Sequence, residues 1–149
     1  MRPLKLALVC SHGGHLTEML QIADAWKGAD AFWITYRSTR TAQMSRAYLL
    51  TNIGVNPVRM AIATVRIALI LIRERPDAVI STGSEVAIPA FYLARLMGMR
   101  TIFVEVWTRV RRPTGTGRLV YPVADHFLVQ WPELLARYGR KARFEGSIL

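Results

Sequence analysis

Cysteine is nearly absent from the 149-residue sequence, in which Cys10 is the only one. A single cysteine excludes an internal disulfide, and one cysteine with three histidines offers no zinc-ligand spacing. Because Cys10 lies in an apolar run, we interpret it as a small core residue rather than a nucleophile. We therefore expect a protein of a reducing compartment, with no metal site and no cofactor of its own.

Long apolar runs are also missing. The N-terminal run at 6–10 is shorter than the core of a signal peptide, and the later stretch from Met60 to Ile72 contains Arg66 and falls short of the about 20 residues that a spanning helix needs. Repeats, low-complexity segments and Gly/Ser linkers are absent too. We predict one domain over residues 1–149 without a transmembrane segment.

Acidic residues are scarce relative to basic ones, at 10 against 20, which gives a formal net charge of +10. Such a surplus favours a polyanionic partner, either nucleic acid, an anionic bilayer or a phosphorylated substrate. Nucleic acid is the weakest of these hypotheses, because no RNA- or DNA-binding motif is present and stacking aromatics are not interleaved with the basic residues. We therefore expect no nucleic-acid partner.

What the sequence does contain is an alternation of short apolar runs and longer helical patterns. Strands are predicted at 4–10, 31–36, 78–81, 101–105, 127–130 and 143–145, helices at 15–26, 59–75, 86–97 and 132–139, and a long, partly ordered connection at 37–57. Continuously apolar strands indicate a parallel sheet with helices on both faces. The predicted fold class is therefore α/β and Rossmann-like, with ligands bound at the carboxyl ends of the strands.

The first polar motif at such a strand end is Ser11-His12-Gly13-Gly14-His15. Its glycines allow close backbone approach, and the N-terminus of the following helix offers free N–H groups to a phosphate or diphosphate. The motif is neither a dinucleotide fingerprint nor a Walker loop. His15 is a candidate general base for a sugar hydroxyl, and the alternative is a glycine turn with a capping histidine.

The second motif, Ser81-Thr82-Gly83-Ser84-Glu85, again joins a strand to a helix. The hydroxyl and N–H groups of Thr82, Gly83 and Ser84 are candidate ligands for a phosphate oxygen or a sugar. The alternative is an ordinary helix cap, formed by Ser84 or Thr82.

The third motif is Glu105 at the end of an apolar strand, followed by a basic loop. The carboxylate is a second candidate base, or it orients His15 or a sugar hydroxyl, and Arg109 and Arg112 are candidate diphosphate ligands. The alternative is a structural pair between Glu105 and Arg109.

The fourth feature is the basic, apolar helix predicted at 59–75. Arg59, Arg66 and Arg73 recur every seven residues among Ala, Ile, Leu, Val and Met, so they share a face. This pattern is typical of a helix lying in an anionic membrane interface. The alternative is a helix packed on the sheet with a narrow wet edge.

The runs LVCSHGGHLTEML, STGSEVAIPA and VEVWTRVRRPTGTGRLVYPVADHFLVQWPELLARYG resemble one family over nearly the whole chain. It comprises bacterial polysaccharide-biosynthesis glycosyltransferase subunits of the PssD and CpsF type. These are related to the membrane-anchoring subunit of the eukaryotic UDP-N-acetylglucosamine transferase of lipid-linked oligosaccharide assembly. MurG, the enzyme that makes lipid II, is similar more distantly.

The resemblance implies the N-terminal, acceptor-binding half of a GT-B glycosyltransferase, with the donor half on a separate partner subunit. The implied reaction is inverting and metal-free. It moves a glucuronosyl, glucosyl or galactosyl group from a UDP-sugar, bound mainly by the partner, to an undecaprenyl-diphosphate-linked sugar in exopolysaccharide or capsule synthesis. The implied location is peripheral, at the cytoplasmic face of the bacterial inner membrane.

The resemblance also assigns residues. It places the acceptor diphosphate near Gly13, Gly14 and His15 and puts the family's acidic residue on Glu105, while His12 stands where a small residue is expected. The expected site comprises His15 and Glu105 as candidate bases and Ser11, His12, Gly13, Gly14, Thr82, Gly83, Ser84, Arg109 and Arg112 as acceptor-binding residues.

Two expectations concern the partner. The sequence shows no second set of strand–helix units, so a donor site would come from another chain, and the apolar residues Ile148 and Leu149 are expected near it. The main rival hypothesis is a non-catalytic, membrane-recruiting scaffold that activates a catalytic glycosyltransferase.

Overall fold

The computed structural model of the chain describes residues 1–148; Leu149, expected near a partner, lies outside the described residues. One parallel sheet runs through this part of the chain in the order β3-β2-β1-β4-β5-β6-β7. Its strands are β1 Lys5–Cys10, β2 Asp30–Tyr36, β3 Ala47–Leu50, β4 Ala78–Gly83, β5 Arg100–Val104, β6 His126–Val129 and β7 Ala142–Phe144. The predicted α/β, Rossmann-like fold class is confirmed.

Helices cover both faces of the sheet. They are α1 Gly14–Gln21, α2 Pro57–Glu74, α3 Ala87–Leu96, α4 Gly115–Val120 and α5 Leu135–Tyr138, with short 3-10 turns at Ala23–Trp26, Tyr121–Val123 and Pro132–Leu134. Residues of β1 alternate between two cores, because successive side chains of a strand point to opposite faces. Ala7 and Val9 join the core that includes α2 and α3, whereas Leu8 and Cys10 join the core beneath α1.

Cys10 is fully buried, and burial raises the pKa of its thiol to about 12. It is therefore protonated at neutral pH and packs as a small apolar residue, which confirms the interpretation from the sequence.

Helix α2 is delimited by local signals. The Asn56 side chain accepts hydrogen bonds from the backbone N–H groups of Val58 and Arg59 at 2.9 and 3.0 Å, and Pro57 occupies the first helical position. Arg75 takes a left-handed conformation (φ 47°) just past the last helical residue, and Pro76 follows. A cap, a favourable first residue and a proline stop thus fix its length.

Three element predictions were wrong in detail. The connection expected at 37–57 contains the edge strand β3, and the loop after Glu105 contains α4. The helix expected at 15–26 ends at Gln21 and continues only as the 3-10 turn Ala23–Trp26.

Candidate functional site

A cleft opens at the carboxyl edge of the sheet, beside the point where the strand order reverses. Strands β1 and β4 are neighbours, but the chain proceeds from β1 toward β3 and from β4 toward β7. The connection after β1 and the connection after β4 therefore run in opposite directions. Such a divergence leaves a crevice above the two strands. The cleft measures about 440 Å³ and is lined by Gly14, His15, Glu18, Val106, Trp107, Thr108, Arg109 and Thr114.

His15 lies in the first turn of α1 and is held by β4 through two reciprocal contacts. Its Nδ1 lies 2.9 Å from the carbonyl oxygen of Thr82, and the Thr82 hydroxyl donates to the carbonyl oxygen of His15 at 2.6 Å. A carbonyl oxygen only accepts, so Nδ1 must carry the proton. In the neutral ring this leaves the Nε2 lone pair available as a proton acceptor.

Gly83 makes room for that ring. It ends β4 with φ +124°, and a Cβ there would meet His15 Nδ1 and Cε1 at 2.8 Å. The next residue, Ser84, also has a positive φ of 78° and donates its hydroxyl to Glu85 at 2.7 Å. The second sequence motif therefore supports His15 through Thr82 and Gly83, whereas Ser84 does not line the cleft and does not cap α3.

Glu105 is fully buried behind the cleft, and its carboxylate is saturated with donors. It accepts from the backbone N–H groups of Val106 and Thr114 at 3.0 and 3.1 Å, from the Thr114 hydroxyl at 2.9 and 3.0 Å, and from the Tyr138 hydroxyl. Burial, together with the charge of Glu105, raises the pKa of Tyr138, which stays a donor. The carboxylate makes no ion pair with Arg109 in the described chain.

The contacts of Glu105 shape the loop that follows it. Thr114, held by Glu105, caps α4 by accepting from the Gly117 N–H at 2.9 Å. A Cβ at Gly117 would lie 2.6 Å from a Glu105 oxygen, so this position has no room for a side chain. The geometry assigns Glu105 to holding α4 and the cleft wall in place.

Glu18 lines the cleft together with His15, although it was not among the residues predicted from the sequence. It lies three residues further along α1, on the same face, and is only 4% exposed. Gln130 Nε2 contacts Glu18 Oε2 at 3.3 Å and donates to the Glu105 carbonyl oxygen at 3.0 Å. Burial raises the pKa of Glu18 to about 7, although the backbone amide of Trp107 opposes this shift and the charge of Glu105 adds to it.

Arg40 is a second residue that sequence analysis missed. Its guanidinium donates to the Thr17 hydroxyl at 2.9 Å and lies 3.4 Å from the carbonyl oxygen of Gly13, so it stands at the N-terminus of α1. A cation beside a helix N-terminus adds to the positive potential there. Nothing in the local sequence at 37–57 marked this arginine.

The remaining predicted residues divide into those at the cleft and those away from it. Gly14 and Arg109 line it, whereas Ser11, His12 and Arg112 do not. The His12 ring packs edge-on against Tyr36 with 6.0 Å between centroids, and its Nδ1 is buried with no partner among the described residues. The His12 ring faces Tyr36 of β2 and is not among the residues that line the cleft, so its part in acceptor binding stays a prediction.

Helix α2 lies away from the cleft and presents two apolar faces. Ala63, Ile67, Ile70 and Leu71 are buried against the sheet and α3. An outward stripe comprises Val58, Ile62, Val65, Leu69 and Ile72, each between 55% and 64% exposed. Arg59, Arg66 and Arg73 follow alternate members of this stripe by one residue and are exposed, as predicted. We call this surface the α2 stripe.

No helix within residues 1–148 is sufficiently long and apolar to span a bilayer, and no three His, Cys, Asp or Glu side chains in this part of the chain are grouped to hold a metal ion.

The fold is that of the N-terminal half of GT-B enzymes. MurG from Acinetobacter baumannii superposes with a TM-score of 0.79 at 19% identity, covering 95% of this chain and 45% of that one. A UDP-GlcNAc 2-epimerase from Methanocaldococcus jannaschii superposes at 0.73 and 14% identity, covering 97% and 46%. MurG and an epimerase thus share this architecture, so the likeness shows the fold alone.

The sequence family is narrower. The model of the family described as "Oligosaccharide biosynthesis protein Alg14 like" matches residues 50–148, and the chain belongs to this family. This match confirms the resemblance to the eukaryotic transferase subunit.

Two curated relatives carry the name UDP-N-acetylglucosamine transferase subunit ALG14. The one from Eremothecium gossypii is 32% identical over 101 residues, covering 64% of this chain and 45% of its own length. The human one is 31% identical over 74 residues, covering 46% and 34%. The chain thus matches less than half the length of either relative.

Proposed function

We propose that this chain is the non-donor subunit of a two-chain glycosyltransferase and that it recruits and supports a catalytic partner at a membrane surface. The relatives are named as subunits of a transferase, and the fold is one half of the GT-B architecture. In this proposal the other half of the architecture, which binds the nucleotide sugar, belongs to the partner chain. The observation that carries the recruiting role is the α2 stripe.

The stripe has the chemistry of a helix lying in a bilayer interface. Five aliphatic side chains exposed by more than half would leave water on insertion, and the neighbouring arginines would meet anionic headgroups. Each basic residue near an anionic surface contributes about 1 kcal/mol. Removing three arginines should therefore weaken binding by roughly 100-fold at low salt.

Vesicle sedimentation tests this role. The full chain is incubated with phosphatidylglycerol/phosphatidylcholine vesicles, and R59A/R66A/R73A is compared with R137A/R140A/R143A, a charge-matched control away from α2. We expect loss of binding only in the α2 variant. Equal losses in both triple variants would mean that overall charge, rather than the α2 stripe, binds the membrane.

A second candidate function, acceptor binding with a direct part in catalysis, is favoured by the geometry of His15. In this hypothesis the acceptor diphosphate lies at the N-terminus of α1 near Arg40 and Arg109, and the partner holds the UDP-sugar. The acceptor hydroxyl oxygen attacks the anomeric carbon, its proton passes to His15 Nε2, and UDP leaves with the bonding electrons. Glu105 acts as a positioning residue that holds α4 and the cleft wall.

His15→Asn separates the two candidates, because an asparagine amide can still donate to the Thr82 carbonyl oxygen but lacks the Nε2 lone pair. Sugar transfer to a synthetic polyprenyl-diphosphate sugar is measured with this chain, its partner, and both together. Loss of kcat by about 100-fold or more, with vesicle binding retained, supports the catalytic role. Unchanged turnover supports the scaffold.

The finer assignment within this proposal is to the bacterial PssD and CpsF type. It specifies glucuronosyl, glucosyl or galactosyl transfer to an undecaprenyl-diphosphate-linked sugar at the cytoplasmic face of the inner membrane, and it rests on the motif block from Val104 to Gly139. A panel of UDP-sugars in the same assay identifies the donor. Transfer of N-acetylglucosamine alone would contradict this finer assignment.

A further inference from the structure

The two buried carboxylates near the cleft differ in how far their hydrogen-bonding capacity is used. An ionised carboxylate has about four acceptor sites. Glu105 receives donors from two backbone amides and two hydroxyl groups. Glu18 has only the Gln130 amide at 3.3 Å and the Trp107 backbone amide among the described residues.

This shortfall makes the ionised form of Glu18 costly unless a ligand supplies further donors. A buried polar group that lacks its partners keeps its desolvation penalty, which is why burial raises the pKa of Glu18. Because Glu18 lines the open cleft, a bound molecule can reach it, whereas Glu105 lies behind the wall. Glu18 is therefore the carboxylate that a ligand in the cleft would meet.

The negative charge of the Glu18 carboxylate limits the chemical class of the ligand that can bind beside it. A carboxylate repels a diphosphate, whose expected position is instead beside Arg40 and Arg109. It also lacks the additional acidic or histidine ligands that a metal ion would need in the described chain. A neutral molecule with hydroxyl donors fits, and a sugar provides several.

We propose that Glu18 binds a hydroxyl group of the acceptor sugar and is a specificity-determining residue of the cleft. This inference rests on the acceptor-binding candidate described above. In this arrangement the two parts of the acceptor occupy different ends of the cleft. The diphosphate lies at the N-terminus of α1, and the sugar lies one helical turn further on, beside Glu18.

The test compares two ligands on the full chain. One is a short-chain isoprenyl diphosphate, and the other is the same lipid diphosphate carrying glucose, galactose or N-acetylglucosamine in separate titrations at pH 8. The readout is the ratio of the two Kd values, because loss of a negative charge shifts the affinity for both diphosphates in the same direction. Glu18→Gln keeps the size of the side chain, and Asp24→Asn is the matched control on an exposed acid just after α1.

We expect wild type and Asp24→Asn to prefer at least one sugar-bearing lipid, and Glu18→Gln to lose about ten-fold of that preference. Continued binding of the sugar-free lipid by Glu18→Gln shows that the variant is folded. An unchanged ratio in Glu18→Gln, or no preference in wild type, overturns the role of Glu18 while leaving diphosphate binding intact. If wild type binds neither lipid, the acceptor-binding candidate itself fails.

Discussion

Replacing Glu18 by glutamine should change how the stability of the protein depends on pH. Burial moves the pKa of Glu18 from its ordinary value of 4.5 to about 7. Between these values the folded protein keeps a proton that the unfolded chain releases, so stability falls as the pH rises. One pKa unit corresponds to 1.36 kcal/mol, so ionising Glu18 should cost up to about 3 kcal/mol by pH 8.

Glutamine does not ionise, so this contribution disappears in the variant. Urea unfolding of wild type and Glu18→Gln at pH 4.5, 6 and 8 gives the difference in unfolding free energy, which cancels the titration of all other groups. We expect the difference to shift in favour of the variant by up to about 3 kcal/mol over this range. Asp24→Asn, which replaces an exposed acid just after α1, is measured alongside as the control. A difference that stays constant with pH would refute the inference that Glu18 is desolvated by the cleft wall.

Substitutions at three further positions test the contacts that support the site and α2. Gly83→Ala should lower stability by about 1–3 kcal/mol in urea unfolding, because its φ of +124° is unfavourable and its Cβ would contact His15; unchanged stability would contradict that contact. Tyr138→Phe removes a donor from the buried Glu105 and should cost about 1–3 kcal/mol in the same assay, whereas a neutral result would show that the carboxylate is satisfied without it. Asn56→Ala should lower stability by about 1 kcal/mol by thermal unfolding while Asn56→Asp keeps the cap, and equal effects of the two would argue against capping.

The fold was predictable where apolar runs are continuous and buried on both faces. Strand β4 was predicted from such a run at 78–81. Strand β3 does not, because it pairs only with β2 at the edge of the sheet and Tyr48 and Leu49 are only half-buried. Helix α4 was missed because Gly115 and Gly117 disfavour a helix locally. Its start depends on the Thr114 cap, whose position is fixed by tertiary contact with Glu105.

The site was predictable to the extent that strand ends mark it. Rossmann-like topology brings the ends of β1 and β4 together, so His15 and Thr82 were both expected at one edge of the sheet. An acidic residue in an amphipathic helix usually faces solvent, which is why Glu18 was not predicted as a site residue. Its spacing of three from His15 was the available signal. The position of Arg40 depends on how the segment at 37–57 folds back, which no local pattern specifies.

The side-chain amide of Gln130 occupies a junction in this structure. Its nitrogen faces Glu18 and the Glu105 carbonyl oxygen, and its oxygen accepts from the backbone N–H of Ile148 at 3.1 Å. An amide engaged at both ends cannot rotate without exchanging a donor for an acceptor. The segment that ends at Ile148 therefore helps to fix the orientation of the Gln130 amide, which contacts Glu18. A displacement of the chain near residue 148 would release the Gln130 amide and so change the hydrogen bonding of Glu18.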